Sequence, residues 1–192
     1  MQINLITKAT VKEQLGLTDA TYDTEITSNI PIVSSDVRRI LNEDYEKYVL
    51  AVFSSSAATI DFGVVRQQRQ NIYESKAISY SLGQVVYHPN IPEDTYLKSF
   101  DPSTGLYTLS NTPTDSGDYV YPTILISQWP TISKMIWYRI STVGTTDASG
   151  DSLKSLSYGP VSKTFSDAEI NKQWNYPQKL IDDLGTPFVK VG

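Results

Sequence analysis

The residues that could carry chemistry are few, and they stand apart from one another. The tetrapeptide GDSL at 150–153 offers Ser152 as an esterase-type nucleophile. A serine hydroxyl needs a base within hydrogen-bond reach, and such enzymes supply a histidine downstream. The chain's one histidine is His88, so nothing after Ser152 can take its proton, and a hydrolase centred there is disfavoured. DASGDS at 147–152 has two aspartates and a glycine but lacks the alternating oxygen ligands and distant glutamate of a calcium loop; it reads as a solvated turn. The carboxylate pairs Asp182–Asp183 and Asp19–Asp23 show no pocket signature that would raise their pKa values for acid catalysis. Arg66 and Arg69, in VVRQQRQN, could touch phosphates, yet two arginines in an acidic chain fit a face toward solvent or a neighbouring subunit better. His88 precedes a proline in a turn and is expected to be exposed. No catalytic residue, cofactor or metal site is assigned.

The bulk numbers narrow the class further. The 192 residues carry a net charge of −5, which argues against a sequence-specific or packaging nucleic-acid binder, since those present a basic face. A surface past which DNA slides is still compatible. Cysteine is absent, so disulfides and thiolate metal sites are excluded, and one histidine cannot build a multi-histidine zinc site. MQINLITKAT lacks the apolar run of a signal peptide, and no stretch approaches the ~18 apolar residues of a spanning helix. A soluble protein made in a cytoplasm is expected, with no membrane partner. Charged residues make up only 19%, and thirteen tyrosines stand against five phenylalanines. Tyrosine pairs an apolar body with a polar tip, which suits half-buried surfaces and interfaces.

The elements that position these residues fall into three stretches. In residues 15–41, Ile26, Ile30, Val33, Val37, Ile40 and Leu41 recur at the 3.6-residue period. Thr18 or Asp19 is expected to cap this long helix, and Asp23, Glu25, Arg38 and Arg39 suit its dipole. Pro31 should kink it. Thr27, Ser28, Ser34 and Ser35 form a small, polar back. Between 45 and 121, short β-branched and aromatic runs alternate with turn chemistry such as HPNIPED and DPSTG. Tyr107 and Leu109 should share the buried face of a strand. Helical texture returns at YPTILISQWPTISKMIWYRIST, where Leu125, Trp129, Ile132, Met135 or Ile136, and Ile140 mark one face; Pro130 either kinks that helix or starts its second half. SLKSLSYGPVSKTF reads as one or two strands, and YPQKLIDDLG as a short helix with Pro177 near its start and Gly185 past its end. The expectation is an α+β chain: a helical part, 1–44 and 122–192, with a β-rich subdomain inserted at 45–121.

One aromatic cluster stands out. Trp174, Tyr176, Pro177, Leu180, Ile181 and Phe188 crowd a short C-terminal segment, which must dock on its own core or on a partner.

Order and spacing then point to a family. T-x-x-x-V-K-E-x-L-G-L-T-D-x-x-Y-D-x-x-I, from Thr7 to Ile26, continues through Ile30–Pro31 to RRIL at 38–41. Far downstream come YP, a Trp-containing helix, SYGPVSKTF and YPQKLIDDLG. Together these resemble the head–tail connector (adaptor, head-completion) proteins of tailed bacteriophages, over about residues 5–45 and 122–185. GQVVYHPNIPEDTYLKSFDPSTGLYTLS, in turn, is similar to a β module that recurs in phage structural proteins.

The resemblance implies a helical connector domain with a long kinked N-terminal helix, a second long helix and a short C-terminal helix, carrying the β-rich subdomain. It also implies a non-enzymatic virion protein at the head–tail interface, assembled in the host cytoplasm. Its partners would be the portal protein, further copies of itself in a ring, typically twelve-fold, a tail or neck protein on the distal side, and genomic DNA passing non-specifically through the lumen. Trp174, Tyr176, Pro177, Leu180, Ile181 and Phe188 would be the anchor to portal or neighbour, and Thr27, Ser28, Ser34 and Ser35 the face admitting the next subunit. The alternative is a tail-terminator or other tail-tube ring protein, whose fold would be mainly sheet.

Overall fold

The computed structural model describes residues 3–43, 45–63, 80–142, 155–158, 161–164, 170–171 and 173–185. The chain divides into two compact units, one of Tyr45–Ser127 and one of Gln2–Asp44 with Gln128–Gly192.

In the first unit, six strands form one antiparallel sheet: β1 (Val49–Ser54), β2 (Ala57–Asp61), β3 (Gln84–Tyr87), β4 (Leu97–Asp101), β5 (Leu106–Leu109) and β6 (Gly117–Leu125). Their order is β3-β6-β1-β2-β5-β4. The two edges then approach each other. Val86 N–H donates to the Thr95 carbonyl at 2.9 Å and Gly83 N–H to the Leu97 carbonyl at 2.7 Å, around a bridge between Val85 and Tyr96. The sheet is thereby nearly closed into a barrel, which removes free edges. Alternation sends Ala51, Phe53, Ile60, Val86, Leu109 and Val120 inward to a common core. The DPSTG turn joins β4 to β5, with Gly105 left-handed at φ 75° and the Asp101 carboxylate accepting from Ser103 and Thr104.

Phe53 owes its inward seat to Gly117, its pairing partner on β6 beside a bulge in β1. A Cβ on residue 117 would stand 2.3 Å from the Phe53 ring.

The second unit contains α1 (Lys8–Leu15), α2 (Asp23–Leu41), α3 (Trp129–Thr142) and α4 (Gln178–Leu184), with two short ribbons, β7 (Ser155–Tyr158) paired to β8 (Val161–Thr164) and β9 (Ile170–Asn171) paired to β10 (Tyr176–Pro177). The Thr7 hydroxyl caps α1 by accepting from Thr10 N–H at 3.2 Å, and Gly16 ends it in the left-handed region. No side chain caps α2; it begins at Asp23, whose carboxylate is gripped by Lys8 and Lys12 at 2.8 and 2.7 Å. These two ammonium groups hold the Asp23 carboxyl below the usual carboxylate range, chiefly through their hydrogen bonds. All six apolar residues of the α2 stripe are buried. Pro31 lies within the helix, where it has no N–H to offer the preceding turn. No helix among the described residues is long and apolar enough to cross a membrane.

These observations overturn the expected fold class. The chain is not a long-helix connector domain with a β-rich subdomain added; among the described residues its largest element is the nearly closed antiparallel sheet, accompanied by four α-helices, the longest of 19 residues. The run YPTIL reads with the helix that follows it, yet it forms the second half of β6, where it pairs with β3, while the first half pairs with β1. A short apolar run satisfies either period, and pairing with a distant strand decides it in favour of the sheet. Pro122 is accommodated where the β3–β6 register shifts. The second long helix therefore shrinks to Trp129–Thr142, and Pro130 stands in its first turn, where a missing N–H costs nothing.

Gly117→Ala should lower stability by about 1–3 kcal/mol, because the Phe53 ring is enclosed and cannot swing away. The same change in a Phe53→Leu background should cost clearly less. Thermal melts of the four proteins check this, and additive losses would contradict it.

Candidate functional site

The C-terminal segment is organised by a turn. The Asn171 side-chain oxygen accepts from the N–H groups of Gln173 and Trp174 at 3.0 and 3.2 Å, its carbonyl accepts from Asn175 N–H at 2.7 Å, and its amide donates to Gln178 at 2.7 Å. Asn175 is left-handed, at φ 57°. This geometry sets Trp174 and Tyr176 in different surroundings. Trp174 is half-buried beneath the Arg39 guanidinium, 5.3 Å from ring centroid to Cζ. Tyr176 is 0% exposed. Its hydroxyl donates to Asp36 Oδ2 at 2.8 Å, and its ring lies 6.0 Å from that of Tyr138.

Asp36 Oδ2 also faces Arg139 Nη1 at 3.7 Å, and Arg139 Nε donates to Asn29 Oδ1 at 3.2 Å. One polar chain thus links β10, α2 and α3. Burial, and then the hydrogen bond to the Asp36 carboxylate, push the Tyr176 phenol well above its ordinary range.

Of the six anchor candidates, Tyr176, Pro177 and Leu180 are buried and so belong to the chain's own interior. Trp174 and Ile181 are half-buried, and Phe188 lies outside the described residues. Gln128 donates to the Leu184 carbonyl at 2.7 Å, closing the end of α4.

The small back of α2 divides likewise. Ser34, at 0% exposure, accepts from Leu5 N–H at 3.1 Å, and one turn on Arg38 donates to the Ile3 carbonyl. The chain's own N-terminal residues, with Ile3, Leu5 and Ile6 buried, therefore occupy the groove that small side chains leave. Ser34 is removed from the intersubunit face. Thr27 and Ser28 are exposed, their hydroxyls turned back to the Asp23 and Thr24 carbonyls, and Ser35 is half-buried.

No catalytic arrangement emerges among the described residues. Asp23 is held by two lysines, Asp19 accepts from Thr21 N–H, Asp182 accepts from Gln178 and Asp183 pairs with Lys179. None of these carboxylates is paired with another. The described residues contain no group of three metal-ligating side chains. Ser152, Arg66 and Arg69 lie outside them.

His88 corrects the expectation of exposure. It is 6% exposed, edge-on to Phe53 and Tyr119 with centroids at 5.0 and 4.6 Å. The tyrosine surplus appears on the outward side of β1, β6 and β3. There Tyr48 (60% exposed) meets Tyr119 and Tyr121 edge to face at 5.8 and 6.3 Å, and Tyr121 lies beside Tyr87. Sequence reasoning missed this cluster and the Asp36–Arg139–Tyr176 chain, because both join residues far apart in sequence. Comparison with family models, curated proteins and solved structures returns no match.

Tyr176→Phe should cost about 1.5–3 kcal/mol, the range for a hydrogen bond to a charged group. Asp36→Ala should cost at least as much, since it strands a buried hydroxyl. The double variant should lose much less than the sum. Urea denaturation measures all three, and independence of the two losses would contradict the coupling.

Proposed function

We propose that this chain is a non-enzymatic structural subunit of a tailed-phage virion, part of a closed ring at the head–tail junction that meets the portal on one side and a tail or neck protein on the other. The observation that carries this reading is that two of the blocks on which the resemblance rests, far apart in sequence, fold into one compact unit. Residues 7–41 supply α1 and α2 and the last block supplies the β7–β8 ribbon and α4, whereas the YP at 121–122 belongs to β6 in the other unit.

Ring formation suits the surface chemistry. Heterologous contacts around a closed ring bury the same two faces on every subunit, and a surface with few charges packs without stranding ions. The net charge of −5 favours a lumen that DNA passes without adhering, since few counterions would be released. Half-buried Trp174 under Arg39, with Ile181 a helical turn into α4, is the part of the C-terminal segment left for a partner. Tryptophan and arginine are the residue types most often found at binding hot spots.

A second reading, a tail-terminator or other tail-tube ring subunit, is favoured by one observation, the six-stranded sheet with its outward tyrosines. The two readings share the ring and differ in the partner.

Truncation before Trp174 would remove Tyr176, Leu180 and Leu184 from the interior, so surface substitutions make the cleaner test. Trp174→Ala combined with Ile181→Asp should keep the far-UV spectrum and most of the thermal stability while abolishing cosedimentation with portal rings. Unchanged portal binding by a folded variant would refute the assignment of the anchor. Binding to tail tubes but not to portal, by the unaltered protein, would select the second reading.

A further inference from the structure

The barrel has a rim where the turn between β3 and β4 meets the loop between β5 and β6, and Asn90 is the node that joins them. Its side-chain amide donates to the Ser116 carbonyl at 2.8 Å, and its own carbonyl accepts from Thr114 N–H and Oγ1 at 2.8 and 3.0 Å. The backbone N–H of Asn90 donates to His88 Nδ1 at 3.0 Å, and the His88 carbonyl accepts from Ile91 N–H at 2.9 Å. The imidazole thus works as an acceptor at Nδ1, which requires the neutral ring with its proton on Nε2.

We propose that His88 is a pH-sensitive latch on this rim: the neutral imidazole holds Asn90 in place, and protonation at Nδ1 sets two donors against each other and releases the rim. The inference stands apart from the virion reading, since it needs only the geometry of the first unit. Two elements enclose the ring. Phe53 comes from β1 and Tyr119 from β6, so an imidazolium formed there has little water to solvate it. Among charged groups, Asp118 on β6 favours the protonated form, while Glu93 and Asp94 lie further along the turn itself. Burial outweighs Asp118 and lowers the His88 pKa below the free-imidazole value.

The sign follows from proton counting. A histidine depressed in the folded state binds fewer protons than when released, so closure is favoured most above about pH 6.5 and weakens as pH falls from there toward the folded midpoint. The turn is bounded by the closure bond from Val86 to Thr95, and that from Gly83 to Leu97 continues the same seam. Releasing the turn uncovers Ile91 and loosens the seam between β3 and β4.

The test uses the full chain, in which a single histidine makes the imidazole resonances unambiguous. NMR from pH 8 to pH 5 should show the Nε2-protonated tautomer at the alkaline end and a midpoint below about 6.5. Hydrogen-exchange protection factors at Asn90, Ile91 and Thr114 should fall from about pH 6.5 down to the folded midpoint and level off below it. The total fall should be roughly tenfold for each pH unit between folded and free midpoints, while protection in α2 holds. His88→Asn keeps an acceptor near the Nδ1 position without a titrating group and should give flat protection. Asp118→Asn should lower the folded midpoint and so enlarge the total fall in protection, with its onset unchanged. Protection that ignores pH across this range, an Nδ1-protonated ring at pH 8, or the same loss in His88→Asn would overturn the latch. If His88→Asn does not fold, a fall in protection that is no larger in Asp118→Asn overturns it equally.

Discussion

A buried tyrosine hydroxyl, donated to a carboxylate 140 positions earlier in the chain, sets the arrangement of the second unit. Tyr176 could bury its ring in many ways, but its hydroxyl needs an acceptor, because an unpaired polar group in an apolar interior costs more than the bond itself contributes. Asp36 is the acceptor, and Arg139 and Asn29 extend the chain across α3 and back to α2. β10 is thus fixed in position, and α4 starts from its end. Leu180 and Leu184 then fall inward, while Trp174 and Ile181 are left half-open. Over residues 173–185 the polar chain thus separates side chains sealed in the interior from side chains left at the surface.

The first unit meets a different constraint, the need of a six-stranded sheet to satisfy its edges. It does so by bringing β3 against the start of β4, and this closure gives it a core of its own. Closure brings local demands with it. Phe53 fills the interior only because Gly117 leaves room, and the β3–β4 turn is held by an imidazole acceptor where a backbone partner is missing.

Much of the local structure was legible in the sequence. The spacing from Ile26 to Leu41 gives the buried face of α2, and Tyr107 and Leu109 share the inward face of β5. DPSTG is the β4–β5 turn. The errors occurred where a local signal had two solutions that only distant partners resolve. YPTIL fits a helix or a strand until β3 pairs with it. The Thr/Ser back of α2 fits any close neighbour, and the neighbour at Ser34 is the chain's own N-terminal segment. His88 before a proline reads as exposed until Phe53 and Tyr119 close over it. The fold class failed for the same reason, because closure of the sheet depends on contacts between Gly83–Val86 and Thr95–Leu97 that no periodicity announces. The polar chain through Asp36 joins three segments and left no local trace.

The proposed ring role asks for a part that holds its shape while offering contacts, and a nearly closed sheet together with a C-terminal segment that is only partly buried suits it. Direct imaging of the purified full-length protein by negative-stain electron microscopy, alone and mixed with portal rings, tests the account most directly. Closed rings that stack coaxially on the portal are the predicted result. Dispersed single subunits at high protein concentration, with portal rings left bare, would contradict it.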